Sequence, residues 1–203
     1  MITDFDRAFT FGASDTHYFF MNRKTKTFKE WWDVKMGFSE SNVIENKYII
    51  AGTMLEEPVV ACINFNLNLG IITPPTYIWS ENPKLKVNLD GLYLGINHEV
   101  KTVGFDKWLL AKPDIKHWQQ VQVQMLVSKT TRTSLDYYGV MDYEYEISYL
   151  VDPDIDFARI RMDEIEYDEE WIEIKYLSEL EYLTFCMDTG NFPENGGIVW
   201  KET

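Results

Sequence analysis

Cysteine is nearly absent. The two present, Cys62 and Cys186, are single and far apart, so neither a disulfide framework nor a four-cysteine metal or cluster site is available. Three scattered histidines argue against a zinc centre. No apolar run approaches the ~18–20 residues of a membrane span. Met1-Ile2-Thr3-Asp4 does not open like a signal peptide, so a cytoplasmic protein without membrane contact is expected. No internal repeat and no Gly/Pro-rich linker divides the chain. Its 203 residues, 45% of them hydrophobic, suffice for one domain over 1–203.

Positive charge is also in short supply. A net charge of −14 is wrong for nonspecific duplex binding, because phosphate contacts need Lys and Arg. The deficit is uneven, however. Residues 1–132 hold 15 basic against 14 acidic residues, and 133–203 hold 4 against 19. The first part can line a basic channel; the second cannot. Glu164, Glu166, Asp168, Glu169 and Glu170 would repel phosphates over about 8–10 Å. They are expected to face away from such a channel or to guard its rim, as a docking or subunit-contact surface or simply as a solubilising one.

What is present centres on residues 87–102. Leu85, Val87, Leu89 and Tyr93 alternate with Lys86, Asn88 and Asp90, the period of a half-buried strand. Beyond Gly91 a second alternation sets Ile96, Val100 and Thr102 against Asn97, Glu99 and Lys101. A tight turn at Leu94 to Asn97 would bring Asp90, Glu99 and Lys101 onto one polar face, provided the loop is of even length or bulged. Paired carboxylates repel unless a cation sits between them, and hard oxygen ligands suit Mg²⁺ or Mn²⁺. A neighbouring lysine can then position a water and stabilise charge on a phosphoryl oxygen. The plain alternative is an amphipathic hairpin with a solvated face.

Four further stretches frame this one. Arg7-Ala8-Phe9-Thr10-Phe11-Gly12-Ala13-Ser14 precedes a helix start, with Ser14 or Thr10 as a candidate cap. A helix from Ser39 has Ile44, Tyr48, Ala51, Leu55, Val59 and Cys62 as its apolar stripe. It places Gly52-Thr53-Met54-Leu55-Glu56 just before Pro58, where it should kink or break. Lys112-Pro113-Asp114 starts another helix, with Ile115, Trp118, Val121 and Met125 inward and His117, Gln120 and Gln124 on the other side. Gln120-Val121-Gln122 lies within it. Strands are expected at Tyr77–Ser80, Ser134–Val140 and Glu144–Val151. A last helix is expected from Glu169 to Met187, with Trp171, Ile174, Leu177, Leu180 and Phe185 as its stripe.

Taken in order, Arg7-x6-Ser14, Gly52 to Glu56, Asp90 with Glu99-x-Lys101, and Gln120-Val121-Gln122 resemble the lambda-exonuclease-type (YqaJ-like viral recombinase) branch of the PD-(D/E)XK nucleases. The likeness covers a little over half the chain. It implies an α/β fold, a central mixed β-sheet flanked by helices around a restriction-endonuclease-like core. That core would fall in 1–132, with acidic strands and a helix in 133–203. It further implies Mg²⁺, with Mn²⁺ as an alternative, on Glu56, Asp90, Glu99 and the Val100 carbonyl. Asp90, Glu99, Lys101 and Gln120 would be catalytic, and Arg7 and Ser14 would hold a 5′-phosphate. The substrate would be linear double-stranded DNA, digested 5′ to 3′ to leave a 3′ tail. A single-strand annealing protein is the implied partner, ring assembly an implied state, and a phage or prophage in a bacterial host the implied source. The scarcity of cysteine excludes the iron–sulfur nucleases that share this core. Two alternatives stand beside this reading: an endonuclease of restriction or junction-resolving kind on the same core, and a non-enzymatic acidic recombination scaffold.

Overall fold

The computed structural model describes residues 8–40, 46–109 and 112–194. Among these the strands form two sheets. One is three-stranded, ordered β1–β3–β2, from β1 (Phe11–Gly12), β2 (Tyr77–Ile78) and β3 (Leu85–Val87). The other is mixed and four-stranded, ordered β4–β5–β6–β7, from β4 (Gly91–Tyr93), β5 (Ile96–Gly104), β6 (Arg132–Val140) and β7 (Ile160–Glu166). The run from Leu85 to Tyr93, continuous in its alternation, is therefore split between two sheets, with Asp90 just before β4. The fold is α/β with helices flanking mixed sheets, as expected, but the single central sheet of the sequence reading is two.

The β4–β5 hairpin closes through Leu94 (φ 47°) and Gly95 (φ 79°). Two central residues with positive φ match the twist of the flanking strands. Gly91 pairs with His98, Leu92 with Asn97 and Tyr93 with Ile96. Continuing that register by one residue sets Asp90 opposite Glu99, the result an even loop should give. At Gly91 a side chain has no room: a Cβ there would lie 2.3 Å from Ile71 Cγ2 and 3.1 Å from His98 Cβ. Gly91→Ala should therefore cost about 1–3 kcal/mol through overpacking. Urea unfolding checks this, and an unchanged midpoint would show that Ile71 moves freely aside.

Strand β5 lies between antiparallel β4 and parallel β6, and both of its faces are covered. Val100 is buried with Ala51, Leu55 and Val59 of α3 (Lys47–Leu67). The opposite face carries Asn97 and Glu99, both buried, toward α5 (Ile115–Ser128). The alternation that could have meant a solvated face thus marks a buried polar row.

Helix α3 departs from its expected outline. It starts at Lys47, where Asn46 Oδ1 accepts from the Tyr48 and Ile49 amides at 3.0 and 3.1 Å. Ser39 is not helical; Ile44 and Glu45 lie outside the described residues. Tyr48 is 58% exposed, not inward. The helix also runs through Pro58 without a break, since Leu55, Val59 and Ile63, all fully buried, pin it on both sides. By length and composition alone α3 could cross a membrane (21 residues, mean hydropathy 1.2), a run that the sequence reading missed. Here one of its faces packs on the four-stranded sheet.

Among the described residues two helices precede α3: α1 (Thr16–Phe19), entered through a 3-10 turn at Ala13–Asp15, and α2 (Lys26–Lys35). A short α4 (Phe105–Trp108) follows β5. Of the two strands expected after α5, Ser134–Val140 falls within β6. Glu144–Val151 is instead a 3-10 turn (Asp142–Tyr145) and a one-turn helix α6 (Ile147–Leu150). The reason is Glu144: its carboxylate turns inward, fully buried, to accept from the Met141 amide and both Arg159 amino groups at 2.6–2.8 Å. Strand β7 lies inside the acidic stretch, where no strand was expected.

The last helix, α7, runs as Glu169–Trp171, a π-type stretch Ile172–Tyr176 and Leu177–Thr189. It packs on the N-terminal layer through Ile172, Tyr176, Leu180 and Leu183. Ile174 and Phe185 of the expected stripe are exposed. The Gly/Pro-rich end beyond Glu194 lies outside the described residues.

Candidate active site

A cleft of about 790 Å³ runs between the two sheets. Its lining gathers Ser14, Glu56, Asp90, Glu99, Lys101 and Gln120, residues spread over more than half the sequence. Of the expected site residues, Arg7 lies outside those described. Val100 contributes its backbone; its side chain points into the core.

Each contributor is placed by its element. Ser14 sits exposed in the 3-10 turn that follows β1. It is not a cap: the N-cap positions of this turn and of α1 are Gly12 and Asp15, and the Gly12 amide donates to Asp15 Oδ2 at 2.7 Å. Asp15 also accepts from Lys35 Nζ (2.6 Å) and Trp31 Nε1 (2.9 Å), which fixes the turn against α2. Glu56 reaches in from α3, half-buried, whereas its neighbour Glu57 is exposed. Asp90 Oδ2 accepts from the Val100 amide at 2.8 Å, so the chain before β4 is tied directly to β5.

Glu99 is the hub. Its Oε1 accepts from Lys101 Nζ and Gln120 Nε2, both at 2.5 Å, and its Oε2 from Gln124 Nε2 at 2.6 Å. Gln124 donates as well to the Asn88 carbonyl at 3.0 Å. A buried carboxylate with three donors, one of them charged, is a satisfied arrangement. Gln124 was not among the expected site residues. Its signal was the four-residue spacing from Gln120, one helical turn on the same face. Gln122, the second glutamine of the triplet, faces away: it donates to the Glu166 carbonyl (2.8 Å) and accepts from the Asp168 amide (2.7 Å).

Two of the carboxylates, Asp90 and Glu56, are held above the ordinary carboxylate range. Burial first, then the charges of Glu99 and Glu56, push the Asp90 pKa up to about 8, against the Val100 hydrogen bond and Lys101. Glu56 is raised by burial and by Glu99. Burial works against the Lys101 ammonium, but Glu99, Asp90 and Glu56 outweigh it and hold its pKa above the usual lysine value. Lys101 is thus a firm cation and no base. His117, 2.9 Å from the Tyr137 hydroxyl, falls to about 4 through burial and the Lys101 charge, so it stays neutral at pH 7.

A carboxylate whose pKa is raised by neighbouring carboxylates is the chemistry a divalent cation relieves. The donors facing the cleft are oxygens, as a hard cation requires. Among the described residues no three His, Cys, Asp or Glu groups stand together as a finished ligand cage. Part of the reason is that Glu99 is turned onto Lys101 and the two glutamines. To serve a cation, Glu99 must release at least one of these donors.

No family model matches the chain, and no curated protein matches its sequence. Its fold is similar to that of solved exonucleases. An alkaline exonuclease (LHK-Exo) from Laribacter hongkongensis superposes with a TM-score of 0.67 at 16% identity, over 90% of this chain and 92% of that one. The same enzyme in complex with dAMP gives 0.66 at 17%, over 91% and 94%. A phage-related exonuclease from Haemophilus somnus 129PT gives 0.60 at 17%, over 89% and 92%. The exonuclease-type α/β fold implied by the motifs is the fold of this chain.

Proposed function

We propose that this chain is a metal-dependent exonuclease that digests linear double-stranded DNA from 5′ ends and leaves a 3′ single-stranded tail for phage-type recombination. The observation that carries the reading is the cleft itself. It joins Glu56, Asp90, Glu99, Lys101 and Gln120 to Ser14 within a fold shared with exonucleases. Glu56, Asp90, Glu99 and the Val100 carbonyl would hold Mg²⁺ or Mn²⁺. When bound, the ion supplies a water of lowered pKa and charge neutralisation at the phosphate.

The chain's own groups do the remaining work. Lys101, kept charged by its acids, stabilises negative charge building on the phosphoryl oxygens. Gln120, once released from Glu99, orients the attacking water with Lys101, and Gln124 keeps Glu99 in place. Arg7 and Ser14 receive the 5′-phosphate in this reading. None of the five acids from Glu164 to Glu170 lines the cleft. This leaves their surface free for a ring contact or an annealing partner in a bacterial cytoplasm.

The test compares linear duplex with covalently closed circular duplex in Mg²⁺. Linear DNA should release nucleotides and be left as 3′-tailed or single-stranded product, and the circle should stay intact. Cutting of the circle would establish the endonuclease reading instead. DNA binding without any hydrolysis would favour the scaffold.

A further inference from the structure

We infer that a second cavity, at the C-terminal ends of β5 and β6, stacks an unpaired nucleobase of single-stranded DNA against Tyr48. That the strand is the tail left by digestion rests on the exonuclease reading above. The cavity holds about 570 Å³, within the range of small-ligand sites. Strands β5 and β6 run parallel, and in open α/β sheets ligands gather beyond the carboxyl ends of such strands. Among the described residues this cavity and the cleft share no lining residue.

The lining suits a neutral ring. Tyr48 and Tyr145 meet edge to face, their centroids 5.0 Å apart, and Lys47 Nζ lies over the two rings at 5.2 and 5.3 Å. Tyr48 is 58% exposed, so its ring is open to a stacking partner, whereas Tyr145 is 7% exposed. Among the described residues the Tyr145 hydroxyl makes no hydrogen bond, although Tyr145 lines the cavity. Asp106 and Asp142 stand in the lining against one ammonium, Lys107. That balance repels a phosphate, while an uncharged base brings edge N–H groups for the carboxylates and the hydroxyl to accept. Its face stacks on the tyrosine, a contact that every base can make. Lys47 and Lys107, both exposed, are left for the phosphates on either side of the base.

Position ties the cavity to the reaction. Thr102 of the cavity directly follows Lys101 of the cleft along β5. Tyr48, Gly52 and Glu56 step by four along one side of α3, about 12 Å in all. At Gly52 the helix presents bare backbone beside Thr102, where an added Cβ would lie 3.6 Å from Thr102 Oγ1. In a duplex both faces of a base are covered by its neighbours in the stack. Removing nucleotides from one strand uncovers bases of the other, so the ligand that this cavity suits arises beside it.

The test measures binding of a fluorescently labelled oligothymidylate in EDTA, where the metal-dependent hydrolysis proposed above does not run. An abasic strand of the same length supplies the phosphates without the bases. Tyr48→Ala removes the ring, Tyr48→Trp keeps an aromatic face, and Phe65→Ala is a control, an 86% exposed ring near the other end of α3. Wild type should prefer the thymidine strand. Tyr48→Ala should weaken binding of that strand by about tenfold, the scale of one stacked base, and leave the abasic strand unchanged. Tyr48→Trp should bind at least as tightly as wild type, and Phe65→Ala should match it. Unchanged binding of oligothymidylate by Tyr48→Ala, an equal loss on the abasic strand, or a wild type that does not distinguish the two strands would each overturn the inference and leave the exonuclease reading standing. If Tyr48 stacks the base but wild type degrades no linear duplex in Mg²⁺, the cavity stands as a single-strand site and the exonuclease reading falls.

Discussion

Glu99→Ala and Lys101→Ala are each expected to lower the rate on linear duplex by roughly a thousandfold or more, with folding retained. The two losses have different physical origins. Removing Glu99 deletes the acceptor shared by Lys101, Gln120 and Gln124. The lysine and both amides lose their positions at once, and one carboxylate is lost to the ion. Removing Lys101 leaves Glu99 hydrogen-bonded to the two glutamines, so the site stays formed but lacks its cation. The Lys101 variant should therefore bind Mg²⁺ at least as tightly as wild type, whereas the Glu99 variant should bind it more weakly. Since neither side chain belongs to a hydrophobic cluster, far-ultraviolet circular dichroism should be unchanged. Single-turnover rates and Mg²⁺ titrations separate these outcomes. A wild-type rate in either variant refutes the assignment.

The part of this site that was legible beforehand is the part governed by short-range geometry. Strand period and a two-residue turn together fix which residues share a face, so Asp90, Glu99 and Lys101 could be brought together without any tertiary information. Helix period likewise put Gln120 and Gln124 on one side of α5. The same 3.6-residue repeat sends Gln122, the last residue of the Gln120-Val121-Gln122 triplet, away from Gln120.

Elsewhere tertiary contacts overrode the local signal. Pro58 removes one amide and crowds the preceding turn, yet α3 continues because its apolar face is buried on both sides of it. Glu144 lies within a strand-like run. Its buried pairing with Arg159, fifteen residues later, bends that run into helical turns. Strand β7 escaped notice because among the described residues it is the outer strand of its sheet, with no strand partner on one flank, where charges such as Glu164 and Glu166 are tolerated. The split of residues 85–93 between two sheets left no mark in the alternation, since Leu89 is buried like Leu85 and Val87.

Asp90 supplies a test that needs no DNA. Its carboxyl is held near pH 8 in the folded protein, against an ordinary value near 4 once unfolded. A raised acid pKa means that the folded form keeps a proton the unfolded form has released. Its contribution to stability is therefore complete below about pH 4 and is lost as pH rises toward 8. Each unit is worth up to about 1.4 kcal/mol, and part of this is shared with Glu56 and Glu99. Metal-free protein should accordingly lose roughly 3 kcal/mol between pH 5 and pH 8.5, a fall of about 6–12 °C in Tm for a chain of this size. Asp90→Asn keeps an oxygen to accept from the Val100 amide and removes the charge, so it should flatten most of that slope and melt higher than wild type at pH 8.5. Millimolar Mg²⁺ should raise the wild-type Tm more at pH 8.5 than at pH 5, because protons and the ion compete for the same carboxylates. It should raise Asp90→Asn little at either pH. Melting scans with EDTA or Mg²⁺ at the two pH values provide the four comparisons. A wild-type Tm indifferent to Mg²⁺ at pH 8.5, or an Asp90→Asn variant with the wild-type pH slope, would show that the crowding of carboxylates at Asp90 is not what an ion relieves.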